Sequence, residues 1–146
     1  MPRFAADRVV HAPIDDVWAF LAEPFNFADW WPGVSGVQPD RRGLAPGARW
    51  QVVGADRPTL LRRPQATGTL LVLDVQTMER IHFQLTGDRL EAELSLRALD
   101  ESSTEVSLVV DGPSLLGLRR RFPAQALDRL RSLLWTGDDD VEAEPK

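Results

Sequence analysis

Apolar and polar positions alternate over residues 3–11, the pattern of a strand with one buried face. Pro13 then opens a helix in which Ile14, Val17, Trp18 and Leu21 recur at helical spacing, so one of its faces is predicted to be buried. Asp15 and Asp16 fall in its first turn, where carboxylates suit the positive end of the helix dipole, and they read as helix-start residues before they read as a catalytic pair. Pro24 restarts the chain in a short helical segment over residues 25–31, which Pro32-Gly33 stops. Short strands are predicted near 34–39 and 48–54, separated by the turn-rich Pro39-Asp40-Arg41-Arg42-Gly43 and Pro46-Gly47, and a polar loop follows over 55–66.

Beyond a strand at 67–76 the alternation is unambiguous. Ile81, Phe83 and Leu85 share one strand face, Leu90, Ala92, Leu94 and Leu96 the next, and Val106, Leu108 and Val110 a third, with mostly polar residues between them. The connections Thr86-Gly87-Asp88-Arg89 and Asp100-Glu101-Ser102-Ser103 are as short as hairpins require. From Ser114 to about Trp135, Leu115, Leu118, Phe122, Ala126, Leu130 and Leu133 line one side of a long amphipathic helix, which Pro123 is expected to kink or split. The sum is an α+β domain: about seven antiparallel strands, curved by their twist round a long C-terminal helix, with two short helices after the first strand.

A twisted sheet wrapped on a helix closes tightly at one end and diverges at the other, so a concave apolar space between them is expected. The residues predicted to line it are the aromatics Phe27, Trp30, Trp31, Trp50, Phe83 and Phe122, with Val52, Leu71, Leu94, Leu108, Ala126 and Leu130. For any single ring, ordinary core packing is the simpler account. Arg8 joins them by parity, because Phe4, Ala6 and Val10 face the core and alternation puts Arg8 on the same side. An arginine there needs either a carboxylate on a neighbouring element or a polar group of a ligand.

The opening His11-Ala12-Pro13-Ile14-Asp15-Asp16-Val17-Trp18-Ala19-Phe20-Leu21, followed by Phe27-Ala28-Asp29-Trp30-Trp31-Pro32-Gly33-Val34, resembles the START-like, Bet v 1-like superfamily (SRPBCC), in particular its polyketide cyclase/dehydrase group. The resemblance covers residues 3–135 and rests on structural motifs. It implies the helix-grip fold and the binding of a small hydrophobic molecule, lipid- or polyketide-like, in the cavity. Members of the superfamily also include polyketide cyclases and dehydratases, and macromolecule-docking regulators of the chaperone- or ribosome-associated type, so the family by itself does not fix an activity.

Composition narrows the chemistry. The 146 residues contain no cysteine, which excludes disulfides, thiol nucleophiles and cysteine-ligated metals. The two histidines stand 71 positions apart with no carboxylate cluster in sequence beside either, so no metal site is predicted, and no phosphate loop, dinucleotide fingerprint or serine-hydrolase motif is present. No catalytic residue and no cofactor are assigned. His82 alternates with Ile81 and Phe83 and is expected on the wet face, while His11 closes the first strand beside a helix start. Asp29 reads as an exposed helix residue in preference to a raised-pKa acid.

The net charge of −5 is concentrated in residues 138–146, where five acids face one base, leaving 17 acids against 16 arginines in residues 1–137. A folded domain over 1–137 and an acidic, disordered tail over 138–146 are therefore expected. With the domain nearly neutral, a nucleic-acid partner is not expected, although Arg57, Arg62 and Arg63 together with Arg119, Arg120 and Arg121 are candidates for a basic rim. No stretch is long and apolar enough for an export signal or a membrane span, and the chain is read as a cytoplasmic monomer or homodimer.

Overall fold

A computed structural model describes residues 3–54, 66–86, 89–112 and 121–134. Seven strands form one antiparallel sheet: β1 (Arg3–Val10), β2 (Val34–Gln38), β3 (Arg49–Gly54), β4 (Ala66–Gln76), β5 (Arg80–Leu85), β6 (Leu90–Asp100) and β7 (Ser103–Asp111). Their spatial order is β1-β7-β6-β5-β4-β3-β2, so every sequential strand pair from β2 to β7 is a neighbour and β1 returns to close on β7. The helices α1 (Ile14–Ala22) and α2 (Phe27–Trp30), with a 3₁₀ turn at Pro24–Asn26 between them, carry the chain from one sheet edge to the other, and α3 (Phe122–Leu133) packs on β1, β7 and α2. This is the expected helix-grip arrangement, and the strand alternation that predicts it is the alternation observed.

The inner face is apolar for a local reason. In β5, β6 and β7 the buried positions are the odd or even members predicted by the two-residue period, from Ile81, Phe83 and Leu85 to Val106, Leu108 and Val110. In α1 the same logic at helical spacing buries Val17 and Leu21. Thr104 is the one buried polar side chain among the described residues, and its hydroxyl donates to the carbonyl of Ala12 at 2.9 Å, tying the start of β7 to the entry of α1.

The outer face carries charge pairs instead. Arg80 reaches Asp74 and Glu93, both at 3.4 Å, Arg3 meets Asp111 at 3.1 Å, and Arg97 pairs with Glu105. His82 lies on this face as expected, with Nε2 2.6 Å from Glu91 Oε2. Pairs as solvated as these contribute register more than stability.

Pro123, expected to kink or split the helix, lies where the described part of that helix begins. It stands in the first turn of α3, where a missing N–H breaks no intrahelical bond, so it marks a helix start and bends nothing within the described segment. Residues 114–120 of the predicted long helix lie outside the described residues, as do Trp135 and the acidic segment 138–146. The helix described is 12 residues, about 18 Å at 1.5 Å per residue.

Candidate functional site

The six aromatic side chains expected to line the space pack against one another. Phe27 is their hub: it stacks on Trp31 with centroids 5.1 Å apart and planes 21° apart, and it takes edge contacts from Trp30 at 5.7 Å, Trp50 at 6.1 Å and Phe83 at 5.7 Å. Trp31 extends the cluster to Phe122 of α3, 5.0 Å away. The sequence Phe27-Ala28-Asp29-Trp30-Trp31 achieves this because α2 is a single turn that presents Phe27, Trp30 and Trp31 to the sheet and leaves Asp29 exposed. Edge and offset geometries of this kind add about 0.5–1.5 kcal/mol per pair beyond area burial.

Beside the cluster is a small void. Leu21 of α1, Phe27 and Trp30 of α2, Leu44 of the β2–β3 loop and Trp50 of β3 form one side, and Leu70, Val72, Ile81, Phe83 and Leu94 of β4, β5 and β6 form the other. Every lining side chain is apolar or aromatic, and none titrates. The void measures about 20 Å³, room for one water, whereas pockets that enclose drug-sized ligands run to roughly 300–1,000 Å³. Ligand entry at this point therefore requires that side chains of the wall give way.

Five predicted residues, Phe27, Trp30, Trp50, Phe83 and Leu94, border this void. Trp31, Val52, Leu108, Ala126 and Leu130 are buried and Phe122 is half-buried; all belong to the surrounding core and not to the lining of the void. Leu71 is a correction. It pairs with Gln84 and Arg49 on the outer face, while its neighbours Leu70 and Val72 point inward opposite Leu85 and Phe83. The run Leu70-Leu71-Val72-Leu73 is apolar throughout, so alternation is silent there and pairing alone decides the face.

Arg8 does lie on the inner side, but at its margin, and its Nε donates to Asp128 of α3 at 2.9 Å. The carboxylate is thus supplied by the protein, and Asp128 also meets Arg131 at 3.4 Å. Of the two arginine groups, Arg121 is exposed at the start of α3, and Arg57, Arg62, Arg63, Arg119 and Arg120 lie outside the described residues.

Leu21, Leu44, Leu70, Val72 and Ile81 line the void without having been predicted. Leu21 and Ile81 sit on apolar faces already legible as buried, whereas Leu70 and Val72 fall in the unbroken apolar run whose inward face only the pairing decides. Leu44 is different, a lone leucine within a turn-rich stretch, and its only signal was an apolar side chain where loop chemistry calls for none. A larger depression of about 460 Å³ opens on the surface at the end of the β5–β6 hairpin, with Gln84, Thr86, Arg89, Glu91 and Asp111 around Leu90. Five of its six lining residues are polar or charged, which sets it apart from the aromatic-walled void.

A seven-stranded sheet gripping a C-terminal helix, with an aromatic-walled interior, defines a class of fold known from many solved structures. The sequence profile of the family described as polyketide cyclase / dehydrase and lipid transport matches residues 1–134, and the chain belongs to that family, within the START-like, Bet v 1-like superfamily. Among solved structures, a protein of Nitrosomonas europaea is similar at 18% identity, with 97% of this chain and 96% of that chain covered and a TM-score of 0.68. XoxI of Bacillus cereus is similar at 9% identity, with 92% and 96% covered and a TM-score of 0.70. The di-domain ARO/CYC protein BexL from the BE-7585A biosynthetic pathway is similar at 18% identity and a TM-score of 0.65, with 99% of this chain covered and 48% of BexL, so this chain spans about half of that protein. At these identities the likeness is one of fold. No relative is found among curated protein sequences. Among the described residues no helix is long and apolar enough to cross a membrane.

Proposed function

We propose that the protein binds a small hydrophobic molecule, lipid- or polyketide-like, in the space between sheet and helices. The observation that carries this reading is the wall: ten apolar or aromatic side chains from the helices α1 and α2, the β2–β3 loop and the four strands β3 to β6 converge on one void. The family to which the chain belongs is described by cyclases, dehydrases and lipid transport, all of which handle apolar chains. Burial of such a chain contributes about 25 cal/mol per Å² of apolar surface, and the rigid rings select by shape.

The absence of a titrating group among the described lining residues favours binding over acid–base catalysis at this wall. A cyclase or dehydratase reading requires that the wall hold a reactive chain in a productive fold, with its proton donor or acceptor supplied from beyond the lining. Native mass spectrometry of protein purified from its own source, followed by organic extraction, tests both. A non-covalent adduct that extracts unchanged supports binding. A supplied polyketide chain recovered cyclised or dehydrated supports the enzyme. Protein mass alone, together with no heat on titration of fatty acids or polyketide mimics, overturns the binding reading.

A further inference from the structure

Of the ten residues around the void, nine are buried and Leu44 alone is partly exposed. Among the described lining residues, then, Leu44 is the one that stands between the void and water. It sits at the centre of the loop between β2 and β3, and that loop is hung from hydrogen bonds at its ends. The Asp40 carboxylate accepts the backbone N–H of Arg42 and of Arg49, each at 2.9 Å, and the Arg42 guanidinium donates to the carbonyl of Gly47 at 3.0 Å. Trp50, itself part of the wall, donates its indole N–H to the carbonyl of Gly43 at 2.8 Å. The residue immediately before Leu44 is thus tied to a ring that touches the void.

Gly43 and Gly47 bracket this segment with φ of +65° and +89°, backbone that other residues adopt only under strain. A side chain at Gly47 would also meet the Arg42 guanidinium at 3.1 Å. Leu44 lies between the two glycines and outside the residues that pair β2 with β3, so withdrawal of its side chain breaks no bond of that pairing.

Building on the cavity reading above, we propose that Leu44 is the closing and size-selecting residue of the site: its isobutyl group fills the place taken by the apolar end of a ligand. The moiety admitted there is uncharged and slim, a single ring or a branched alkyl group, because no charged side chain lines the void and one leucine side chain is what makes way. An apolar cavity on the order of 150 Å³ holds benzene, and truncating Leu44 to alanine enlarges the void in that direction. In the native protein the ligand competes with Leu44, so its apparent affinity is reduced by the fraction of molecules in which the residue has withdrawn.

The test is benzene binding, measured by calorimetry on the full chain and on L44A, L44W and W50F, each first checked for native circular dichroism. L44A, in which the competing side chain is gone, is expected to bind benzene at least ~10-fold more tightly than the native protein. L44W, with a larger side chain in the same place, is expected to lose binding. W50F keeps the aromatic wall but removes the tie to Gly43, and a gain of about threefold is expected from the loss of one hydrogen bond that holds the loop closed. Should the native protein, L44A and L44W all bind benzene within about twofold of one another, Leu44 is not the closing residue, while the cavity reading stands. If none of the four folded proteins binds, both fail.

Discussion

The two halves of the interior share one sheet and pack differently. Around β2, β3 and β4 the pairing slips, between Val34 and Gly36, between Val52 and Val53, and between Val72 and Asp74, whereas β1 with β7 and β5 with β6 run without a shift and β6 with β7 slips only beside its hairpin turn, between Ala98 and Asp100. Each slip bends and twists its strand, so the sheet curls most where it must wrap the rings of α2. The regular half is aliphatic and closed: Val10, Val106, Leu108, Ala126, Leu127 and Leu130 are all at 0% exposure. Branched side chains of similar size interdigitate to crystal-like density. Large flat rings held edge to face cannot fill every gap between them, and the void falls on their side of the molecule.

The first way to break this contrast is at the seam. Trp31→Ala removes the ring that joins Phe27 and Phe83 to Phe122 and is expected to cost about 3–5 kcal/mol in chemical denaturation. A cost below about 1 kcal/mol would mean that the cluster does not join α3 to the sheet. Leu130→Ala, on the aliphatic side, is expected to cost about 2–5 kcal/mol while leaving benzene affinity at the Leu44 site unchanged, since Leu130 does not line that void. Coupled losses of stability and affinity would erase the distinction between the halves.

Smaller effects sharpen it. Arg8→Met removes a partly solvated tie between β1 and α3 and retains its apolar stem, so about 0.2–1 kcal/mol is expected, less at high salt. If ligand extracted from the native protein is lost from this variant while stability holds, Arg8 contacts the ligand despite its bond to Asp128.

The smallest effect expected is the titration of Asp40. The backbone N–H of Arg49 chiefly holds its carboxyl below the usual 3.8, partial desolvation opposes this, and the N–H of Arg42 adds to the lowering. A carboxyl depressed in the folded state stabilises it above the ordinary pKa, and that contribution fades as the pH falls through the depressed value. Acrylamide quenching of indole emission is therefore expected to rise only below pH 3.8 and to stay flat from about pH 5 to 8. Asp40→Asn removes this step. Asp100→Asn leaves it, although Asp100 is also lowered, chiefly by the N–H of Ser102, because its turn joins β6 to β7.

Much of the fold was legible because its rules are local. A two-residue period placed β5, β6 and β7, helical spacing placed α1, and proline and glycine marked their ends. The site was legible where one residue type sat on an unambiguous face, as with Phe83 and Leu94, or within one helical turn, as with Phe27 and Trp30. It failed at Leu71, where an unbroken apolar run hides the register, and at Leu44, where a loop residue is recruited into the wall from outside any period. Parity put Arg8 on the correct side of β1, but its partner Asp128 is 120 positions away and could not be chosen from among the other acids.

Taken alone, the chain determined its elements, a dry and a wet face of one sheet, and the family motif that leads from β1 into the helices, since each depends on neighbours a few residues apart. Tertiary structure alone decided that the void beside the Phe27 cluster measures about 20 Å³ and that the loop residue Leu44 joins its wall. A void is the small volume left over when many large side chains from distant segments meet, and no local pattern encodes a remainder of that kind.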